Sequence, residues 1–371
     1  MNKHPAATVS ANPSLEQARV AVKRFGGVLV ALVALFLYLS LTQEVFATAD
    51  NIENLLRSST VTYFVALGLT LVIISGGIDL SVGSVLALSG VALSSILVAG
   101  VPAPLAVVAV LLGAVALGAL VNGVPVGLGR LSFFVVTLGS ASLLRGAVFV
   151  VTDGETTYLS EYPLVAWIGN GEVWGLSVPI LIALIVTIGS GTLLRYTSFG
   201  RSIFAIGGNP EAARLSGIRV GLVIVTTYGL CAGFAGLAGI VQAGRLDAAS
   251  PTVGANVALV AAAAVLLGGT RFSGGVGGVT GTLVGTLFIG VLQNGLGLMG
   301  VSSYWQEVVT GAILIAAVAI DRLPTVYAIR RARQRSMRTS ERDVPVHSSA
   351  ASDLSNSSSI CGPSLTAEQR R

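Results

Sequence analysis

The chain has 371 residues, of which 53% are apolar and only 11% are charged. A soluble domain usually carries about 25% charged residues, because water must wet its surface. This composition argues against a soluble enzyme, a disordered protein or a nucleic-acid-binding protein. It is typical of a polytopic membrane protein whose outer surface faces lipid.

Several kinds of chemical site require residues that the apolar segments lack. The only histidines, His4 and His347, lie in polar tails, so no span can supply a histidine metal ligand or protease base. The only lysines, Lys3 and Lys23, do not follow the glycines of a phosphate-binding loop. We therefore expect no enzymatic activity, no metal, no cofactor and no ATP hydrolysis by the chain itself.

Long apolar segments recur along the chain and predict an all-α bundle. A hydrocarbon core of about 30 Å requires ~20 apolar residues per helix. On this rule there are ten spans: 25–42, 58–75, 78–99, 105–127, 133–151, 178–194, 221–243, 255–268, 276–299 and 304–320. The eighth is short, and only Gly76 and Gly77 separate the second from the third, so eight spans with re-entrant segments is the alternative.

The distribution of Lys and Arg predicts the orientation of the bundle, because short cytoplasmic loops carry an excess of both. With the N-terminus inside, the cytoplasmic segments are 1–24, 128–132, 195–220, 269–275 and 321–371. These segments hold all 22 basic residues except Arg57, Arg145 and Arg245. The sequence thus predicts that both termini are cytoplasmic. Arg145 lies inside the fifth span, and Asp153 and Asp79 are its candidate partners.

The same pattern divides the chain into three parts. Residues 1–24 form a cytoplasmic N-terminal segment, and residues 25–321 form the transmembrane domain. Residues 322–371 are first basic and then rich in serine, which predicts a disordered cytoplasmic tail. Its basic run is either a simple orientation signal or a contact with anionic membrane lipid.

The cytoplasmic segment 195–220 contains the signature of a short capped helix. Asn209 is a suitable N-cap, Pro210 suits the first helical position, and Glu211 favours the positive end of a helix. Gly217 can end this helix after two turns. A simple tether needs neither cap nor stop, so we expect a knob on which a partner docks; an ordinary connecting loop is the alternative.

This segment resembles the coupling segment of ABC-importer permeases, most closely those for ribose and other monosaccharides. Three further stretches are similar in the same order: Gly76–Ser84, Leu266–Thr270 with Gly274–Gly277, and Asn294–Tyr304. The similarity covers residues 45–321. It implies that the ATPase is contacted by Gly208, Asn209, Pro210, Glu211, Ala212, Ala213, Arg214, Ser216 and Gly217.

The resemblance also implies a function and a set of partners. The chain would be a permease subunit of a binding-protein-dependent importer in a bacterial inner membrane. It would carry a sugar such as ribose, pair with an identical or related permease, and work with separate ATPase subunits and an external solute-binding protein. The alternatives are a secondary transporter driven by an ion gradient, or the same kind of permease carrying a nucleoside, a signalling sugar or a branched-chain amino acid.

Four polar residues are candidates for the translocation pathway: Asp79, Ser81, Gln293 and Asn294. A charge at mid-bilayer costs about 2.5–3.5 kcal/mol, so Asp79 should face protein or water. It either belongs to a pathway or gate, or caps a helix at the cytoplasmic interface. Gln293 and Asn294 present hydrogen-bonding groups that suit either sugar hydroxyls or contacts between helices.

Glycines also recur at helical spacing in the ninth span, at residues 277, 281 and 285. In lipid such stripes allow the close approach of two helices. They predict either tight packing within one subunit or the seam of a permease dimer.

Overall fold

The computed structural model describes the backbone of residues 13–319 and the side chains of residues 26–319. The first helices are α1 (Pro13–Thr42), α2 (Ala49–Ile74), α3 (Val82–Val98), α4 (Ala103–Leu117), α5 (Val124–Gly127), α6 (Phe133–Thr152) and α7 (Pro163–Asn170). Those that follow are α8 (Val178–Tyr196), α9 (Ser198–Gly208), α10 (Pro210–Leu215), α11 (Val220–Leu246), α12 (Val257–Leu267), α13 (Val279–Leu298) and α14 (Ser303–Ala319). The predicted tail 322–371 lies outside the described residues.

Each of the ten predicted apolar segments is helical. Within residues 13–319, six helices are long and apolar enough to cross a membrane: α2, the continuous run α4–α5, α6, α8, α11 and α13. The apolar helices Gly26–Thr42, α3, α12 and α14 are shorter. The protein is therefore an all-α polytopic bundle, while the number of complete spans stays a prediction.

Two regions contain more regular secondary structure than the sequence indicated. The segment 152–177, expected to be a long loop, contains α7 and the short hairpin of β2 (Glu172–Val173) with β3 (Leu176–Ser177). The segment 195–220 contains α9 as well as the predicted capped helix α10. The remaining strands, β1 (Thr157–Tyr158) and β4 (Ala248–Ala249), pair antiparallel and join the α6–α7 connection to the end of α11.

Helix α11 lies at the centre of the bundle. It packs against α2, α3, α4, α7 and the turn between α4 and α5. Its buried faces are rich in small residues, including Gly229, Ala232, Gly236 and Gly239. A methyl group added at Gly239 would overlap the backbone of α3 at Leu86. Since backbones approach this closely only where side chains are small, the glycine content of α11 sets the spacing of its neighbours.

Two helix breaks interrupt the bundle. Residues 75–81 separate α2 from α3, and residues 247–256 separate α11 from α12. The third span was expected to start at residue 78, but α3 starts at Val82 because the chain turns at Gly76 (φ +89°) and stays irregular through Ser81. The first turn of α3 lies directly against the second break, since a methyl group added at Gly83 would overlap the carbonyl oxygen of Gly254.

The contacts between segments agree with the predicted alternation of sides. Gly207 and Gly274 belong to two segments predicted to be cytoplasmic, and Gly76 lies between the second and third predicted spans, which puts it at the same end. The three lie together: a methyl group added at Gly274 would lie 3.0 Å from the Cα of Gly76 and 3.1 Å from that of Gly207. At the predicted external end, Arg57 binds Glu172 at 2.9 Å and also pairs with Glu53. Which membrane face each end meets stays a prediction.

The glycine stripe of the ninth span packs within the chain. Methyl groups added at Gly281 and Gly285 would overlap the carbonyl oxygens of Gly268 and Ala264, so α12 fills the groove that the stripe forms on α13. Of the two predictions for this stripe, packing within one subunit is the one that the structure supports.

This packing predicts different effects for the same substitution at two sites on α13. Gly285→Ala adds a methyl group against the backbone of Ala264 and should lower the free energy of unfolding by about 1–3 kcal/mol. Gly297→Ala adds the same group where nothing lies within 4 Å, so it meets no clash and should not lower the free energy of unfolding. Thermal unfolding of the purified protein in detergent measures both. Equal midpoints for the two variants would contradict the packing of α12 on α13.

Candidate functional site: a capped coupling helix and a buried polar cluster

The predicted coupling segment has the capped geometry that its sequence indicates. Asn209 is extended (φ −159°, ψ 103°), and its Oδ1 accepts hydrogen bonds from the backbone N–H groups of Glu211 and Ala212, both at 3.0 Å. Pro210 opens α10, where its missing N–H costs nothing. At the other end, Gly217 takes a left-handed conformation (φ +83°) and its N–H donates to Arg214 O at 3.0 Å. The helix therefore starts and stops at the predicted residues.

One side of α10 is anchored and the other is free. Ala213 is buried and packs with Ile206 and Val220, so the helix is held against the ends of α9 and α11. The remaining residues of α10 are exposed, including Leu215, whose side chain is 84% exposed. Glu211 and Arg214 form an ion pair at 3.6 Å beside it. The result is a small projecting surface with an apolar centre and charges of both signs.

Asp79 lies in the first helix break and is only 1% exposed. Its Oδ1 accepts hydrogen bonds from the backbone N–H of Ser81 at 2.9 Å and from Ser81 Oγ at 2.6 Å. Asn122 Nδ2 donates to both carboxylate oxygens at 3.3 Å. Asp79 thus meets the expectation that it faces protein, and within the described residues its carboxylate is held by neutral donors.

The cap and pathway alternatives for Asp79 can now be compared. Its carboxylate accepts from the N–H of Ser81, which is itself the N-cap of α3, and bonds none of the N–H groups within that helix. It is also buried inside the protein. This geometry is that of a polar cluster holding the break in place more than that of a helix cap.

Asn122 and Ser140 complete the cluster and were not anticipated. Asn122 is fully buried; its Nδ2 donates to Ser81 Oγ at 2.8 Å, and its Oδ1 accepts from Ser140 Oγ at 2.6 Å. It lies in a π-helical turn, Gly118–Gly123, where the N–H of Val124 bonds back to Ala119 O. Such turns are rare and frequently occur at functional sites. The sequence signal was an asparagine in an apolar run three residues before Pro125.

The other predicted pathway residues lie elsewhere. Asn294 on α13 forms a reciprocal pair with Asn51 on α2, through hydrogen bonds of 2.9 and 3.1 Å between their amides. Gln293 is half-buried on the same helix. The pairing of Asn294 favours a contact between helices, and neither residue hydrogen-bonds to the Asp79 cluster.

The comparisons with known proteins agree with this geometry. Residues 51–318 match the family described as branched-chain amino acid transport system / permease component. The chain belongs to this permease family. It is therefore a multi-pass protein of the bacterial inner membrane.

Named relatives of this permease match over most of their length. Ribose import permease protein RbsC of Escherichia coli (strain K12) is 44% identical over 296 residues, which are 79% of this chain and 92% of the relative. RbsC of Bacillus subtilis (strain 168) is 43% identical over 297 residues, 80% and 92% of the two chains. The D-allose transport system permease protein AlsC of E. coli (strain K12) is 38% identical over 300 residues, 81% and 92% of the two chains. No solved structure matches this chain.

An acidic partner was predicted for Arg145, but within the described residues of this permease its side chain pairs with no acid. Its guanidinium donates to the backbone carbonyls of Pro251 at 2.7 Å, Val253 at 2.8 Å and Gly83 at 3.2 Å. The expected partners Asp79 and Asp153 are therefore wrong. Carbonyl oxygens freed at the helix breaks need donors in an apolar environment, and Arg145 supplies them from one side chain.

The hydrogen bonds of the Asp79 cluster predict that one substitution impairs transport and that a second one restores part of it. Asp79→Asn turns an amide toward the amide of Asn122, so one acceptor becomes a donor and about 1–3 kcal/mol of local stability is lost. Transport by the assembled complex should fall roughly tenfold, since ~1.4 kcal/mol corresponds to a factor of ten. Adding Asn122→Asp returns an acceptor and should recover part of the activity. Uptake and the amount of membrane-inserted protein are measured together.

A single substitution at Asn122 is the control for the double variant. Asn122→Asp alone brings a second carboxylate against Asp79 and should be at least as harmful as Asp79→Asn. Wild-type uptake by Asp79→Asn would mean that this cluster has no role in transport.

Proposed function

We propose that this chain is the membrane-spanning subunit of an ABC importer that carries a sugar and is powered by separate ATPase subunits. The observation that carries the proposal is the capped, outward-facing helix α10 on a bundle whose relatives are named sugar permeases. A chain without a phosphate-binding loop needs an external energy source, either an ion gradient or a separate motor, if it is to accumulate solute. A rigid projecting helix is a suitable place for that motor to act.

The ATPase would dock on the exposed side of α10. Leu215 supplies an apolar anchor of the kind that fills a pocket on a partner, and the Glu211–Arg214 pair gives the rim its polar contacts. The exposed residues of 208–217 form the docking surface of the proposal, with Asn209 and Gly217 fixing its two ends; Ala213, also predicted to contact the ATPase, is buried and faces the bundle instead. The anchored Ala213 would pass movement of the partner to α9 and α11.

The Asp79 cluster would control passage through the bundle. It holds a non-helical segment in place with hydrogen bonds. Hydrogen bonds can change partners more easily than two packed helix backbones can move apart. Asp79 and Ser81 would therefore act as a gate whose bonds rearrange when the access side changes. Irregular backbone at membrane depth occurs where it is buried or lines a cavity, as a gate requires.

The substrate would be a neutral polyhydroxylated compound. Relatives named for ribose, allose and arabinose are 44%, 38% and 35% identical to this chain, respectively. An external solute-binding protein would deliver the sugar to the predicted outer end of the bundle. Two permease subunits, identical or related, would enclose the path, with ten spans in each and both termini in the cytoplasm.

The main competing function is a secondary transporter, and reconstitution distinguishes the two. In proteoliposomes, the chain alone should not accumulate D-ribose, D-allose or L-arabinose, with or without a proton or sodium gradient. Adding the ATPase subunits, their binding protein and ATP should produce accumulation of one of these sugars, because ATP hydrolysis supplies the free energy. Uphill transport by the chain alone, abolished when the gradient is collapsed, would show that it is a secondary transporter.

The docking surface is tested by reversing its charges. Glu211→Arg together with Arg214→Glu keeps the ion pair but inverts its polarity, and it should reduce co-purification of the ATPase at least tenfold. Membrane insertion should not change, because both side chains point away from the bundle. The matched control is Glu155→Arg, an exposed acid on the predicted external loop. If the reversed variant retains both the ATPase and uptake, α10 is not the docking site.

A further inference from the structure

Gly207, at the end of α9, lies directly against the end of α2. A methyl group added at Gly207 would overlap both the carbonyl oxygen of Ile74 and the backbone nitrogen of Gly275. Those two atoms are themselves hydrogen-bonded, since the N–H of Gly275 donates to Ile74 O at 2.8 Å. Three backbones thus meet with no side chain between them.

On one side of this junction, α9 is firmly connected to α10. Only Asn209 separates the two helices, and its side chain caps the second. The buried face of α9 includes Ile203, which belongs to one apolar cluster with Leu71, Ile74 and Leu194. A displacement of α10 would therefore move α9 as a body.

On its other side, the junction leads straight into the first helix break. Ile74 is the last residue of α2, and Asp79 follows five residues later. Between them Gly76 turns the chain, and Gly77 lies so close to Tyr228 that an added methyl group would be 2.8 Å from its hydroxyl. That hydroxyl donates to the carbonyl of Ile78 at 3.2 Å. The break is thus held by α9 at its start and by hydrogen bonds at its end.

We propose that Gly207 is a positioning residue that transmits movement of α10 to the Asp79 segment through direct contact with the backbone of Ile74. The inference rests on the proposed function and adds the route by which the docking helix reaches the gate. Side chains can change rotamer and absorb a displacement of about 1 Å, whereas a backbone contact between two helices has no such freedom. The link between α10 and α11 is softer, because it passes through the left-handed turn at Gly217.

The test is Gly207→Ala in the complete complex of permease, ATPase and binding protein. The added methyl group must push α9 away from Ile74, while the exposed surface of α10 is untouched. We expect ATPase co-purification within twofold of wild type. Sugar uptake per ATP hydrolysed should fall at least tenfold, measured with whichever of D-ribose, D-allose and L-arabinose the wild-type complex accumulates. The matched control is Gly189→Ala on α8, where nothing lies within 4 Å, and it should behave as wild type.

Each other outcome has a defined meaning. Unchanged uptake per ATP in Gly207→Ala overturns the inference, and so does loss of the ATPase, which would place the effect in docking. If Gly207→Ala does not accumulate in the membrane, Ile203→Val decides, because it loosens the packing of α9 in the apolar cluster that contains Ile74 without adding an atom. It should lower the uptake ratio about threefold, and an unchanged ratio overturns the inference. None of these results alters the charge-reversal test, on which the docking proposal stands separately.

Discussion

Backbone groups released where helices break must find partners inside the protein, because lipid offers none. This constraint organises the middle of the bundle. Arg145 donates to two carbonyls of the second break and to the carbonyl of Gly83 in the first turn of α3, and Tyr228 donates to the carbonyl of Ile78 in the first break. Asp79 in turn accepts from the N–H of Ser81. These three polar residues are therefore located where the backbone needs them.

Small residues make these contacts geometrically accessible. Glycines bring one backbone against another where α11 passes α3 and α13 passes α12. The same is true of Gly83 and Gly254, so the first turn of α3 and the second break lie close enough to bind a single arginine. Apolar side chains contribute less to specificity here, since lipid would accept them equally well. The high glycine content of the chain thus has a structural explanation: it fixes the distances at which the polar groups meet.

The sequence predicted what local physics controls. Hydropathy placed all ten apolar helices, and the Asn209–Pro210 pair predicted the start of α10 because a cap depends on adjacent residues only. Contacts between distant segments were not predictable in the same way. The partners of Arg145 were wrong because only acidic side chains were considered and the backbone carbonyls of the second helix break were not. Asn122 was missed because its role depends on a π-helical turn, which hydropathy does not register.

The two breaks also indicate where a bundle of this kind can change shape. Helices whose backbones touch at glycines can move little relative to one another. The breaks, in contrast, contain residues with a left-handed backbone conformation: Gly76 in the first and Asp247 and Gly254 in the second. The first break adjoins the junction at Gly207, one helix away from α10, and the second lies at the predicted external end. An ATPase and a solute-binding protein would therefore each act beside one break. Because Arg145 binds the first turn of α3 as well as two carbonyls of the second break, a movement of α3 would change the hydrogen bonds available to the second break.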